Sequence, residues 1–186
     1  MLGNDLLEGE LVRLTPVLRE DLPDFVGWYT SLEYFRYFGT LTRLSTLEHE
    51  EEWFSKLHKD KDNLQFAIRP LEQIKAIGYC LIMDIHWQAQ NCTVGIGIGA
   101  PDYRDKGYGS DALRVLLKYC FMELNMHRVG LSVIGFNERA IQSYRKVGFT
   151  QDAVAREAML RDGRYYDSIE MSILRHEWEA LYQEGE

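Results

Sequence analysis

Residues 95–109 read G-I-G-I-G-A-P-D-Y-R-D-K-G-Y-G, and a long segment with an apolar stripe follows them. Alternation in the first five residues predicts a strand with Gly95, Gly97 and Gly99 on one face, because successive side chains point to opposite sides. Glycine inside a strand costs roughly 0.5–1 kcal/mol relative to alanine, so three glycines in register require a reason. A ligand lying against the bare backbone is one reason, and a poorly ordered edge strand is the structural alternative.

The loop after this strand ends in two glycines directly before a helix predicted over residues 109–124. The free N–H groups and the positive dipole end of a helix N-terminus form an anion site. Gly107 and Gly109 allow the backbone to come close to phosphate oxygens. Arg104 and Lys106 can add positive charge. The whole stretch therefore predicts a ligand with both an extended arm and a phosphate group.

A dinucleotide-binding fingerprint, G-x-G-x-x-A, also matches at Gly95, Gly97 and Ala100. That fingerprint needs its glycines in the turn between a strand and a helix. Here Pro101 and Asp102 follow, and the predicted helix begins well beyond them. We therefore do not expect a nicotinamide or flavin site.

Periodicity in the rest of the chain predicts one mixed sheet. The predicted strands cover residues 10–14, 64–68, 74–84, 92–98, 128–134, 153–160 and 165–174, and the predicted helices cover 19–30, 46–57, 109–124, 137–147 and 175–182. Short turns between the second, third and fourth strands predict an antiparallel meander, and Asp162-Gly163 predicts a two-residue hairpin. The order βααβββαβαββ, followed by a terminal helix, predicts an α/β (α+β) fold with a single seven-stranded sheet and helices on both faces.

Length and composition favour a single domain over residues 1–186. The chain is 46% hydrophobic with 4 Pro, which supplies enough apolar surface for one core. No apolar run reaches the ~18 residues of a membrane helix, and the acidic start does not resemble a secretory signal, so we expect a cytoplasmic protein without a membrane partner. Cys80, Cys92 and Cys120 are odd in number and widely spaced, which favours reduced thiols over disulfides or a zinc site.

The net charge of −8 argues against a nucleic-acid partner, because binding phosphates needs a basic face. Residues 1–62 carry 13 acidic against 7 basic residues, so the acidity is concentrated at the front of the chain. An acidic field there would suit a cationic partner. A solvated acidic surface that maintains solubility is the simpler alternative.

Three motifs occur in order: R-D-K-G-Y-G at residues 104–109, H-R-V at 127–129 and N-E-R-A-I-Q-S-Y-R-K-V-G-F at 137–149. Together they resemble the GCN5-related N-acetyltransferase (GNAT) superfamily, closest to its RimJ/RimL-like ribosomal-protein alanine and spermidine acetyltransferase branch. The resemblance covers nearly the whole chain. It implies acetyl transfer from acetyl-CoA to a primary amine by direct attack in a ternary complex, without a metal. The amine would be a protein N-terminus, a polyamine or another small cationic amine.

The resemblance also implies a coenzyme A site on the glycine-rich strand and loop. The pantetheine arm would lie beside the strand, and backbone N–H groups of the loop would bind the pyrophosphate. A family asparagine and tyrosine complete the site. The implied residues are Gly95, Ile96, Gly97, Ile98, Arg104, Asp105, Lys106, Gly107, Tyr108, Gly109, Ser110, Asn137 and Tyr144.

Tyr144 has two interpretations. Its helical spacing favours a core tyrosine with a satisfied hydroxyl, whereas the resemblance implies the acid that protonates the leaving thiolate. A phenol of pKa ~10 can donate to a thiolate whose conjugate acid has a pKa near ~8.5. Thr93 stands where many relatives carry a glutamate, so the base remains open between Asp84, His86 and a water chain. A non-catalytic acyl-CoA-binding module is the alternative function.

The acceptor site is expected near an aromatic connector with Tyr34, Tyr37 and Phe38, and near the Asp162-Gly163 hairpin. Aromatic and acidic walls would suit a cationic amine. The aromatic residues could equally belong to the core or to a homodimer contact.

Overall fold

A computed structural model describes residues 4–37, 44–57 and 63–182, in which seven strands form one mixed sheet with helices on both faces, as predicted. The strands are β1 (Val12–Thr15), β2 (Leu64–Pro70), β3 (Gly78–His86), β4 (Asn91–Ile98), β5 (Arg128–Ile134), β6 (Thr150–Arg161) and β7 (Arg164–Leu174). The helices are α1 (Leu22–Tyr29), α2 (Leu32–Arg36), α3 (Leu47–Leu57), α4 (Tyr108–Met122), α5 (Glu138–Val147) and α6 (Arg175–Tyr182).

The sheet order is β1-β2-β3-β4-β5-β7-β6, and every neighbouring pair is antiparallel except β4 and β5. These two parallel strands pair only from Asn91 to Thr93 within the described chain, against residues 128–130. β4 then continues to Ile98 and β5 to Ile134 without pairing to each other. The strands therefore diverge and open a cleft within the sheet.

Side chains of β3 point alternately to the two faces of the sheet, and each face is covered by different helices. Cys80 and Ile82 belong to the larger core, which also contains the apolar stripe of α4. Tyr79 and Leu81, on the opposite face, pack with aromatic residues of α1 and α3 in a second cluster. Strand period two thus assigns alternate residues to two separate cores.

Several local predictions were wrong, and β6, for example, begins at Thr150 rather than at residue 153. The aromatic connector includes a short helix, α2, because the Ser31 side chain caps it by accepting from the Tyr34 N–H at 3.3 Å; Phe38 lies outside the described residues. β3 starts at Gly78, since the chain around Ile74 forms an exposed turn. β1 begins at Val12 rather than residue 10, because the amides before it bond to a side chain of α4.

Other local predictions are confirmed. Asp162 and Gly163 both have positive φ, 49° and 72°, which suits the two-residue turn joining β6 and β7. Cys80, Cys92 and Cys120 are buried free thiols. Among the helices in the described ranges, none combines the length and the apolar composition that crossing a membrane requires.

Candidate active site

The divergence of β4 and β5 forms one wall of a cavity of about 530 Å³. Helices α2, α4 and α5 and the loop before α4 complete it. The sequence-predicted residues that line this cavity are Gly95, Ile96, Gly97, Ile98, Arg104, Asp105, Gly107, Gly109, Ser110, Asn137 and Tyr144. The structure therefore brings most of the implied coenzyme A residues to one cleft. Lys106 and Tyr108 do not line it.

Only two of the three glycines predicted to face a ligand line the cavity. Gly95 and Gly97 line the cavity, and a Cβ at Gly95 would lie 3.3 Å from the Leu81 side chain. Gly99 falls beyond the end of β4, where a Cβ would overlap the indole of Trp28. Packing of Trp28 against the backbone explains Gly99, so the prediction of three glycines bared for a ligand was wrong at this position.

The N-terminus of α4 faces the cavity. Gly107 is its N-cap with φ of 89°, a left-handed conformation that favours glycine. The first intrahelical bond runs from the Asp111 N–H to the Gly107 carbonyl oxygen, at 2.9 Å. The N–H groups of Tyr108, Gly109 and Ser110 come before it, so they have no partner within the helix and can bind an anion.

Arg104 supports the end of β4 instead of offering a free charge. Its guanidinium donates to the carbonyl oxygens of Ile98 and Gly99, at 3.2 and 3.0 Å, and pairs with the Glu33 carboxylate at 3.0 Å. Lys106 is exposed. The backbone amides, more than these cations, therefore define the anion site.

Two contacts join the loop and α4 to α5. Arg139 pairs with Asp105 at 2.9 Å, and the hydroxyls of Ser110 and Ser143 lie 2.8 Å apart. Arg139 and Ser143 were not predicted as site residues, although their i, i+4 spacing on α5 could have indicated one shared face. These contacts fix the anion-binding helix end relative to the helix that carries Tyr144.

Asn137 is buried at the start of α5, and its side-chain oxygen accepts from the Ala140 N–H at 3.2 Å. This is the N-cap contact that its position in the sequence predicts. The same side chain lines the cavity, so the cap and the ligand cleft share one residue.

Tyr144 projects from α5 into the cavity, and its ring packs against Phe149 with centroids 6.1 Å apart. Within the described part of the chain, its hydroxyl has no hydrogen-bond partner. Burial raises the pKa of this phenol to about 12. The hydroxyl is therefore protonated near neutral pH and free to donate to a bound ligand.

Asp84 and His86, the candidate bases, lie away from this cleft. Both are exposed at the far end of β3, and neither lines the cavity. Asp84 has a left-handed φ of 52°, beside an irregularity in the pairing of β3 with β4. His86 Nδ1 accepts from the Ala89 N–H at 3.1 Å. The structure brings neither side chain to Tyr144.

Aromatic side chains also line the cavity. Tyr34, Tyr37 and Tyr79 line it, and burial raises the pKa of the Tyr34 and Tyr79 phenols. Tyr34 also packs in the second core cluster, so this residue of the aromatic connector belongs both to the core and to the cavity wall.

The described lining contains two acidic residues, Glu33 and Asp105. Both are paired with arginines, Glu33 with Arg104 and Asp105 with Arg139, so neither carboxylate presents an uncompensated charge to a cationic amine. Asp162 and Gly163 do not line the cavity.

A family model described as an acetyltransferase (GNAT) domain matches residues 12–150. The chain belongs to this family. Spermidine N(1)-acetyltransferase of Escherichia coli (strain K12) is 27% identical over 172 residues, which is 92% of this chain and 90% of that protein. Its counterpart from Vibrio cholerae is 27% identical over 128 residues, or 69% of this chain and 73% of that protein.

The fold matches solved GNAT structures. Vibrio cholerae spermidine N-acetyltransferase, crystallised with CoA and spermine, superimposes with a TM-score of 0.83 at 24% identity, over 90% of this chain and 97% of that chain. The resemblance drawn from the three sequence motifs is confirmed, including the branch with the spermidine acetyltransferases. The protein is thus an enzyme of the GNAT acetyltransferase family.

Proposed function

We propose that this GNAT enzyme transfers an acetyl group from acetyl-CoA to a cationic primary amine by direct attack in a ternary complex. The observation that carries the proposal is the Tyr144 hydroxyl, protonated and without a partner among the described residues, in the cleft that the α4 N-terminus also faces. Because this hydroxyl has no partner within the described ranges, it is available to donate a hydrogen bond to a bound ligand.

The cleft fits the shape and chemistry of acetyl-CoA. The diphosphate would bind the free N–H groups at the start of α4. The pantetheine arm would lie along β4 beyond Thr93, where the strand edge is no longer paired with β5 and can bond an added extended chain. An N–H of this edge would polarise the thioester carbonyl. The buried Asn137 side chain would contact the arm from α5.

The reaction then needs one acid and one base. The neutral amine attacks the thioester carbonyl carbon, a C–N bond forms, and the C–S bond breaks. Tyr144 donates its proton to the departing sulfur, which avoids release of a bare thiolate into an apolar cleft. The nitrogen must also lose a proton, because it becomes positively charged when it bonds to carbon.

The aromatic part of the cavity supports a cationic acceptor. Tyr34, Tyr37 and Tyr79 line the cavity, and ammonium groups bind favourably to tyrosine rings. The relatives named for spermidine acetylation point to the same chemical class. We further propose that residues 1–186 form one N-acetyltransferase domain, since the sheet draws strands from both ends of the described chain.

A free-thiol release assay tests this function. Purified protein and acetyl-CoA are combined with one amine at a time: spermidine, an aminoglycoside or a peptide with a free N-terminal alanine. A reaction without any amine is the control. We expect thiol release that requires one of these amines. Calorimetry that shows acetyl-CoA binding without turnover of any amine would support the non-catalytic module instead. Absence of binding would contradict both functions.

A further inference from the structure

A second, smaller cavity of about 240 Å³ adjoins the first. The two cavities share Thr93, Leu131 and Ser132, at the point where β4 and β5 separate. Glu170 of β7 also lines the smaller one. Thr93, Leu131 and Ser132 therefore form the wall between the reaction cleft and the smaller cavity.

Glu170 is held toward this wall by two hydroxyl groups. Ser132 Oγ donates to one carboxylate oxygen at 2.7 Å, and Ser168 Oγ donates to the other at 2.9 Å. Ser132 and Glu170 are directly opposed residues in the antiparallel pairing of β5 with β7. In the described part of the chain, no cation pairs with this carboxylate, so its charge is not neutralised by a neighbour.

The other ionisable groups of the smaller cavity are already paired. Arg128 and Asp152 form an ion pair at 2.9 Å, and Ser172 bonds to both. Burial opposes the ionisation of Asp152, but the bonds from Arg128 and Ser172 outweigh it and keep its pKa below the ordinary value. Cys92 packs its side chain in the larger core, on the other face. Glu170 is thus the carboxylate left to act as a base.

We infer that Glu170, acting through the Ser132 hydroxyl, receives the proton that the acceptor amine loses. The inference rests on the proposed acetyl transfer. When the amine nitrogen has bonded to the carbonyl carbon, an N–H bond breaks and its proton passes to Ser132 Oγ. The hydroxyl proton of Ser132 passes at the same time to the carboxylate oxygen of Glu170. Glu170 later releases this proton to solvent through the smaller cavity.

The geometry favours this route over the bases predicted from sequence. Asp84 and His86 line neither cavity, whereas Ser132 lines both. A carboxylate can accept a proton from an alkylammonium once the attached carbonyl carbon has made that nitrogen more acidic. Ser168 then holds the second oxygen of Glu170 and fixes its orientation.

Glu170→Gln is the direct test, because the amide keeps the shape and one acceptor oxygen but cannot take the proton. We expect kcat to fall by about 10²-fold or more, a typical loss for a removed general base. The acetyl-CoA Kd and the Tm should stay close to the wild-type values. Glu72→Gln makes the same chemical change at an exposed turn and should leave kcat unchanged.

The pH profile separates a proton acceptor from a purely structural residue. At acid pH, both the amine and Glu170 must lose a proton, so the logarithm of kcat/KM should fall with a slope of about two in the wild type and about one in Glu170→Gln. Glu170→Asp should restore part of kcat and the steeper slope.

A kcat of Glu170→Gln within threefold of wild type, or an unchanged slope, would overturn the inference while acetyl transfer itself stands. If Glu170→Gln fails to fold, Ser132→Ala is the alternative test. It removes the relaying hydroxyl, and because Ser132 is exposed, the fold should tolerate the change. Loss of about tenfold or more in kcat with unchanged acetyl-CoA affinity would support the relay, and wild-type kcat would exclude it. A wild-type protein that acetylates no amine would instead overturn the proposed function.

Discussion

Asp111 Oδ2 lies 2.8 Å from the backbone nitrogen of Leu11, across 100 residues of sequence. The same carboxylate accepts from the N–H groups of Glu10 and Val12, at 3.2 and 3.0 Å, and it is only 3% exposed. One side chain in the first turn of α4 therefore satisfies three amides at the start of β1. This contact fixes the anion-binding end of α4 to the edge of the sheet.

Removing that carboxylate should destabilise the fold. In Asp111→Ala, three N–H groups lose a charged acceptor in a buried site, so the free energy of unfolding should fall by about 3 kcal/mol or more. Urea denaturation followed by circular dichroism measures this loss. Asp102→Ala, at an exposed position just before the loop, should change it by less than about 0.5 kcal/mol. Equal effects of the two changes would exclude the anchoring role of Asp111.

Gly107 should be required for its backbone conformation. A Cβ there would contact only Leu11 Cδ1, at 3.4 Å, so space does not forbid a side chain. The φ of 89°, however, is unfavourable for any residue with a Cβ. Gly107→Ala should therefore lower the free energy of unfolding by roughly 1–2 kcal/mol. Thermal unfolding measures the change. An unaltered Tm would mean that the loop adopts a different conformation.

Gly109 should be required for the ligand rather than for the fold. A Cβ there would lie 3.6 Å from Ile98, an ordinary contact, but on the cavity wall. Gly109→Ala should therefore keep the wild-type Tm while raising the Kd for CoA by about tenfold, or about 1.4 kcal/mol. Calorimetric titration measures the affinity. Gly27→Ala, in α1, where a Cβ meets nothing within 4 Å, should bind CoA normally. A wild-type Kd for CoA in Gly109→Ala would show that the phosphates do not bind beside Gly109.

The raised pKa of Tyr144 predicts how activity responds to alkali. The acid must be protonated to act, so its contribution is lost as pH rises through its own pKa of about 12. An ordinary tyrosine, with a pKa of ~10, would lose half of its activity by about pH 10. We expect kcat with saturating amine to show no decline between about pH 8 and about pH 10. A decline centred near pH 10 would contradict the buried setting of this phenol.

Local patterns predicted most of the fold. The strand over residues 128–134, the terminal helix over 175–182 and the hairpin at Asp162 and Gly163 follow from period and turn chemistry, and the structure has them at the same positions. Such signals lie within a few neighbouring residues, so the sequence displays them directly.

Contacts between distant residues could not be predicted in this way. Asp111 looks like an ordinary acid in a first helical turn, and nothing local indicates its bonds to the start of β1. Gly99 resembled part of a bared strand face until the structure placed Trp28 against it. Glu170 lies on an alternating strand like many others, and only the pairing of β5 with β7 brings it to Ser132.

The proton donor is the central chemical claim, and kcat of Tyr144→Phe tests it most directly. The variant removes one hydroxyl and keeps the ring packed on Phe149, while Tyr119→Phe is the matched control outside the cavity. We predict that Tyr144→Phe lowers kcat by about 10²-fold with the acetyl-CoA Kd within a few fold of wild type. A kcat equal to that of the wild type and of Tyr119→Phe would contradict the claim.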